Sequence, residues 1–149
     1  MDINGRKEDR NLLLNYRQAG HLFMEISILY VDDEEVNLFL FEKTFESTYN
    51  VITAGSGNEG LKKLAEHQEE TIVVISDMRM PEMNGIEFIT KAKNQFNNIA
   101  YFILTGFAHN SEIEMALKTG LIQRFFTKPY DVSEIQTAIS ESLTNLSSD

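Results

Sequence analysis

Three aspartates, a threonine and a lysine stand where runs of apolar residues end. Asp32 and Asp33 follow Ile26-Ser27-Ile28-Leu29-Tyr30-Val31, and Asp77 follows Ile72-Val73-Val74-Ile75-Ser76. Thr105 ends Ala100-Tyr101-Phe102-Ile103-Leu104, and Lys128 ends Ile122-Gln123-Arg124-Phe125-Phe126-Thr127. Carboxylates offer the oxygen ligands that Mg2+ prefers, an ion that keeps several waters and takes one or two protein carboxylates beside phosphate oxygens. A carboxylate is also a nucleophile that forms an acyl phosphate. Phosphoryl transfer then needs cations and hydroxyls to hold the equatorial oxygens, and Lys128 and Thr105 are suited to that. Taken singly, Asp32-Asp33 reads equally well as a helix cap, Thr105 as a strand end and Lys128 as a solvated one. Their joint appearance at four strand ends is hard to attribute to capping.

The elements that must position them alternate five times between short β-rich runs and longer helical patterns, which points to βαβ units and a parallel sheet. The expected strands are Ile26–Val31, Tyr49–Thr53, Thr71–Ser76, Ile99–Leu104 and Ile122–Thr127. The unbroken apolar character of Thr71–Ser76 suits a central strand covered on both faces. After the first strand, Val36 to Phe45 places Leu38, Phe41 and Phe45 on one helical face. Ser56 with Glu59 and Ser111 with Glu114 form capping-box patterns, the second opening a helix that ends near Gly120. A loop with Pro81 leads through Gly85 into a third helix, and Asp131 or Ser133 caps the last, which runs to about Leu146. In an open α/β sheet, ligands bind at the carboxyl edge, where the five chemical positions fall.

The bulk properties narrow the classes. A chain of 149 residues with 42% hydrophobic content suits one well-buried core. A formal net charge of −10 weighs against nucleic-acid and anionic-membrane binding, both of which rely on a positive field. The absence of cysteine excludes disulfides, cysteine-ligated zinc and thiol catalysis. No apolar run reaches the ~18 residues of a membrane helix, and the charged N-terminus lacks a signal-peptide pattern. A cytoplasmic protein is the default expectation. Residues 1–23, with four basic side chains (Arg6, Lys7, Arg10, Arg17) and three acidic ones (Asp2, Glu8, Asp9), read as an N-terminal extension before a domain at 24–149. That extension is either mobile or a docked helix, and Met24 is a candidate alternative start.

Rival readings explain less. Gly55-Ser56-Gly57-Asn58-Glu59-Gly60 matches G-x-G-x-x-G, and Asp77 lies about 20 residues on, as a dinucleotide fingerprint asks. That reading leaves Asp32, Asp33, Thr105 and Lys128 idle, and the fingerprint normally follows the first strand rather than the second. No G-x-x-x-x-G-K-[ST] loop is present, and His21, His67 and His109 lack metal-ligand spacing. An aspartate-nucleophile phosphatase would carry an acid two residues after Asp77, where Arg79 stands.

Four segments are specific in order and spacing: Leu29-Tyr30-Val31-Asp32-Asp33-Glu34, Ser76-Asp77-Met78-Arg79-Met80-Pro81-Glu82-Met83-Asn84-Gly85, Leu104-Thr105-Gly106 and Phe126-Thr127-Lys128-Pro129-Tyr130-Asp131. From about Ile26 to Leu146 the chain resembles the receiver domains of bacterial two-component response regulators. The resemblance implies a flavodoxin-like (βα)5 three-layer sandwich with a five-stranded parallel sheet in order 2-1-3-4-5. It also implies a signalling switch, rather than an enzyme for an outside substrate, that phosphorylates itself and slowly loses the group. Asp77 would be the phosphoacceptor. Asp33 would bind Mg2+ directly and Asp32 mainly through water, with Asp77 and the backbone carbonyl of Arg79 completing the protein ligands. Thr105 would hydrogen-bond a phosphoryl oxygen, and Lys128 would pair with the carboxylate or phosphoryl group.

The Lys128-Pro129 bond would be cis, and Pro81 and Gly85 would shape the loop after the acceptor. Phe125 matches the switch aromatic, turning into space that Thr105 vacates. Arg79 and Phe107 would tune hydrolysis, Phe107 by shielding the acyl phosphate. The implied partners are a histidine kinase or histidine phosphotransfer protein and a downstream protein on the helix 4–strand 5–helix 5 face. From the net charge and the lack of a membrane-length apolar run, neither nucleic acid nor membrane is expected as a partner. With the chain ending soon after the last helix, output is expected through protein contact. Monomer and phosphorylation-dependent dimer stay open. A phosphorylation-independent binding module is the alternative.

Overall fold

The computed structural model describes residues 26–106 and 110–148. The expected extension at 1–23 and the shielding residue Phe107 lie outside the described residues. In chain order the elements are β1 (Ser27–Val31), α1 (Glu35–Phe45), β2 (Asn50–Ala54), α2 (Gly57–His67) and β3 (Thr71–Ser76). They continue through α3 (Gly85–Gln95), β4 (Ala100–Thr105), α4 (Ser111–Lys118), β5 (Arg124–Thr127) and α5 (Val132–Ser148).

All strand pairs are parallel, and the order is β2-β1-β3-β4-β5, as the alternating pattern and the resemblance predict. Because side chains alternate across a strand, each central strand feeds two cores. Leu29 and Val31 of β1 and Val74 of β3 pack with Leu64, Phe88, Ile89, Ala92, Ile113 and Ala116 from α2, α3 and α4. Ile28 and Tyr30 with Val73 and Ile75 pack with Phe41 and Phe45 of α1 and Ile135, Ala138 and Ile139 of α5. The result is a three-layer sandwich. The apolar run of β3 is buried at every position, consistent with helices on both of its faces.

On α1, Phe41 and Phe45 are buried as their spacing predicts, and Leu38 packs partly against them. Phe41 stacks on Tyr30 with ring centroids 4.1 Å apart. The same helix leaves Val36, Phe39 and Leu40 more than half exposed.

Several boundaries differ from the sequence pattern, each for a local reason. The cap of α4 is Asn110 rather than Ser111: its side chain accepts from the Ile113 amide at 2.9 Å, one residue ahead of the expected Ser111–Glu114 box. That helix ends at Lys118, and Gly120 carries the turn with φ of +80°. The Ile122 amide donates to Ala116 O at the end of α4, so β5 starts at Arg124 instead of Ile122. Ser56 caps α2, accepting from the Glu59 amide at 3.1 Å. Asp131 rather than Ser133 caps α5, accepting from the Ser133 and Glu134 amides and from the Ser133 hydroxyl. These donors hold the Asp131 carboxyl below its ordinary pKa. A full capping box that the sequence reading missed, Asn84 with Glu87, starts α3.

Candidate functional site

Strand register builds the site. Val31 and Ser76 are partners at the ends of β1 and β3, so the next residues, Asp32 and Asp77, emerge side by side at the carboxyl edge. The Asp77 amide donates to Val31 O at 2.8 Å and the Asp32 amide to Ala54 O at 3.1 Å, extending the ladder to the two acids. On the other side of β3, Thr105 and Thr127 end β4 and β5 in register, and the Lys128 amide donates to Thr105 O at 2.8 Å. The chain turns back from β1 toward β2 on one side and crosses to β3 on the other, so the acids sit at the topological switch point. The Lys128-Pro129 peptide is cis.

The side chains converge. Lys128 Nζ donates to Asp32 Oδ2 at 2.9 Å and to Asp77 Oδ2 at 3.3 Å, bridging the two acids. Asp77 Oδ1 accepts from the Met78 amide at 2.7 Å. Asp32 is fully buried, Asp77 nearly so, and Asp33 is exposed at the mouth. Carboxylate oxygens of Asp32, Asp33 and Asp77 all lie within 4.8 Å of one another. Three hard oxygen donors this close, without histidine or cysteine, suit Mg2+ rather than zinc. The residues present therefore fit the ion that the sequence implied.

Burial pushes the Asp77 carboxyl above its ordinary pKa; Lys128 pulls it back and the Asp32 charge opposes that pull. Burial alone would lower Lys128, but its hydrogen bond to Asp32 and the two negative charges outweigh that and raise it. Both shifts run upward with opposite consequences: burial and the like charge of Asp32 favour a neutral Asp77, whereas the two acids favour a charged Lys128.

Gly85 explains part of the motif after Asp77. Its amide donates to Met78 O at 2.8 Å, and a Cβ at this position would lie 2.3 Å from the Asp77 carbonyl oxygen. The close approach needs a residue without a side chain. Pro81 lies in the same loop, where Glu82 adopts a positive φ of 69°. The glycines of the dinucleotide-like segment have a packing role instead. A Cβ on Gly57 would strike Met83 Sδ at 2.5 Å, and one on Gly60 would meet the Phe88 ring at 2.8 Å. Moreover, the segment follows β2, at the edge of the sheet.

Thr105 is fully buried at the end of β4. Phe125, one strand away, is partly buried against the α2–α3–α4 core and pairs in register with Ile103. Arg79 is exposed. Two residues at the site were absent from the sequence reading. Tyr30 donates its hydroxyl to Asp32 Oδ2 at 2.7 Å, and Asn37 Nδ2 donates to the same oxygen at 3.1 Å. Burial and then the Asp32 charge push the Tyr30 phenol far up, so it is a fixed proton donor at neutral pH. Its position two residues before Asp32 was the available signal, since i and i+2 share a strand face.

A family model described as the response regulator receiver domain matches residues 28–140. The chain belongs to this family. The receiver is 29% identical over 121 residues to sporulation initiation phosphotransferase F of Bacillus subtilis (strain 168), covering 80% of this chain and 95% of that protein. It is 34% identical over 117 residues to the transcriptional regulatory protein GlrR of Escherichia coli (strain K12), covering 78% of this chain and 26% of the relative. It thus spans about a quarter of the length of that regulator. A crystal structure of a response regulator receiver domain protein from Clostridium thermocellum superposes with a TM-score of 0.72 at 28% identity, over 80% of this chain and 95% of the other. Receivers are phosphorelay switches that bind Mg2+ through acidic residues, and this receiver presents its acids as one cluster. Among the described residues, no helix is long and apolar enough to cross a membrane.

Proposed function

We propose that this receiver takes a phosphoryl group onto Asp77 from a phosphohistidine on a kinase or phosphotransfer protein, with Mg2+ required, and signals through protein contact. The bridging of Asp32 and Asp77 by Lys128 carries the reading, because it places a cation beside a nearly buried carboxylate at the edge of the sheet. An Asp77 oxygen attacks phosphorus, the P–N bond breaks, and its electron pair returns to the imidazole. Lys128 follows the growing negative charge, and Thr105 supplies a hydroxyl to a phosphoryl oxygen. Asp33, Asp32, Asp77 and the Arg79 carbonyl would hold Mg2+, which when bound neutralises charge on the transferring group.

The exposed Val36, Phe39 and Leu40 of α1 support a docking role for that helix. A groove of about 290 Å³, lined by Tyr30, Asn37, Leu40, Lys128, Pro129 and Tyr130, leads from this apolar surface to the lysine of the site. A donor that packs there brings its histidine to the mouth. Phosphorylation adds about −1.5 to −2 charges at one point. That charge draws Thr105 inward and lets Phe125 turn toward the space it leaves, changing the α4–β5–α5 face seen by the target. The reading places the protein in the cytoplasm, where such donors reside, with 1–23 as an extension to a domain at 24–149.

Stoichiometry tests the proposal. With acetyl phosphate and Mg2+ the chain should take up one phosphoryl group and stop. Repeated turnover of p-nitrophenyl phosphate would mark a phosphatase instead. Target binding unchanged by the phosphodonor would mark a phosphorylation-independent module.

A further inference from the structure

The Asp32 carboxylate is held more firmly than a water-mediated metal ligand requires. Its Oδ2 receives three donors: Tyr30 Oη at 2.7 Å, Lys128 Nζ at 2.9 Å and Asn37 Nδ2 at 3.1 Å. Its Oδ1 receives one, the Glu34 amide at 3.0 Å. A carboxylate offers about four acceptor sites in all. Three donors therefore saturate Oδ2 and leave free acceptor capacity on Oδ1.

We propose that Tyr30 is a positioning residue for the acceptor pocket, fixing Asp32 so that Oδ1 meets the metal and its waters while Lys128 is released to the phosphoryl group. The inference rests on the receiver reading above. Lys128 has two tasks that conflict: it neutralises Asp32 in the resting protein, and the incoming phosphoryl oxygens draw it toward Asp77. The phenol is the shortest of the three contacts to Oδ2 and the most buried, with Tyr30 only 1% exposed. It cannot swing away, because its ring is stacked on Phe41 at 4.1 Å with planes 13° apart, and Phe41 is itself buried. When the lysine leaves, Tyr30 keeps the carboxylate in place. Without the hydroxyl, Asp32 Oδ2 would keep only the longer Asn37 contact besides Lys128 and would hold the lysine back.

Tyr30→Phe removes only the oxygen and keeps the stacked ring. Tyr101→Phe is the matched control: that hydroxyl is also buried and donates to Phe96 O at 2.6 Å, but it lies in the core on the opposite face of the sheet. Three quantities are read on the full chain: Mg2+ affinity by calorimetry, the rate of labelling by acetyl phosphate at saturating Mg2+, and the urea midpoint. Y30F should weaken Mg2+ binding about tenfold, equal to about 1.4 kcal/mol, and also slow labelling at saturating Mg2+. Y101F should lower the urea midpoint and leave the other two unchanged. The inference is overturned if Y30F binds Mg2+ and labels like the wild type while only its stability falls. It is equally overturned if Y101F loses Mg2+ affinity to the same extent, since the effect would then be general loosening. A wild-type chain that neither binds Mg2+ nor labels would overturn the proposed function itself, a result distinct from both.

Discussion

Replacing Lys128 with methionine removes the charge and keeps most of the side-chain length. The Lys128 side chain is 24% exposed, while those of its partners are 0% (Asp32) and 10% (Asp77) exposed. At an effective dielectric near 20, two unit charges 4 Å apart attract by about 4 kcal/mol. Breaking a buried pair by removing one partner costs about 3–5 kcal/mol, because the charge left behind is uncompensated. Partial solvent screening of the lysine places the expected loss at about 3 kcal/mol. In a domain of this size that lowers the melting midpoint by about 10 °C. Differential scanning calorimetry in metal-free buffer reads it directly.

The pH dependence of this loss has a definite sign. Lys128 has a raised pKa in the folded chain, so its contribution is complete below the ordinary lysine value of about 10.4 and fades as pH rises through the raised one. On the acid side the deficit shrinks as Asp77, whose pKa is also raised, takes up a proton. Millimolar Mg2+ should restore the variant more than it stabilises the wild type, since the ion supplies the missing positive charge. A variant that melts within about 2 °C of the wild type, a shift worth under 1 kcal/mol, and gains no more from Mg2+, would refute the bridging role.

Other substitutions probe different parts of the site. Gly85→Ala forces a Cβ against the Asp77 carbonyl and should cost about 1–3 kcal/mol in urea unfolding and slow labelling of Asp77 by displacing its backbone. Asp77→Asn should stabilise the metal-free protein at neutral pH, because the raised carboxyl pKa means that its ionised form is disfavoured by folding. That gain should vanish as pH falls below about 3.9, the ordinary carboxyl value, and parallel melts of both proteins from pH 3 to 8 check it. Asn84→Ala removes the reciprocal cap of α3 and should cost about 1 kcal/mol in the same unfolding assay, with no effect on Mg2+ affinity.

The clustering of Asp77 with Asp32, Asp33 and Lys128 was legible because charge at the end of an apolar run is poor core material, and register then brings such residues together. The parallel sheet was legible in the alternating elements, and its strand order in the family resemblance. Tyr30 was not, since a tyrosine inside a strand reads as core and its hydroxyl partner is set by three-dimensional placement. The cap of α4 moved from Ser111 to Asn110 because both are good caps and only the path of the backbone chooses between them. Strand β5 was over-read at Ile122, whose apolar side chain does fill the core while its amide serves the end of α4. On α1 the spacing of Leu38, Phe41 and Phe45 marked the packed face, while Val36, Phe39 and Leu40 lie exposed on a helix that is apolar over much of its surface.

The central claim is that Asp77 takes the phosphoryl group in a Mg2+-dependent reaction. Treatment with acetyl phosphate and Mg2+, followed by borohydride reduction and peptide mass mapping, reads it at single-residue resolution. The account predicts reductive conversion of the acyl phosphate to homoserine at position 77 alone, abolished by EDTA. Reduction at another carboxylate, or label at Asp77 that survives complete removal of divalent ions, would contradict it.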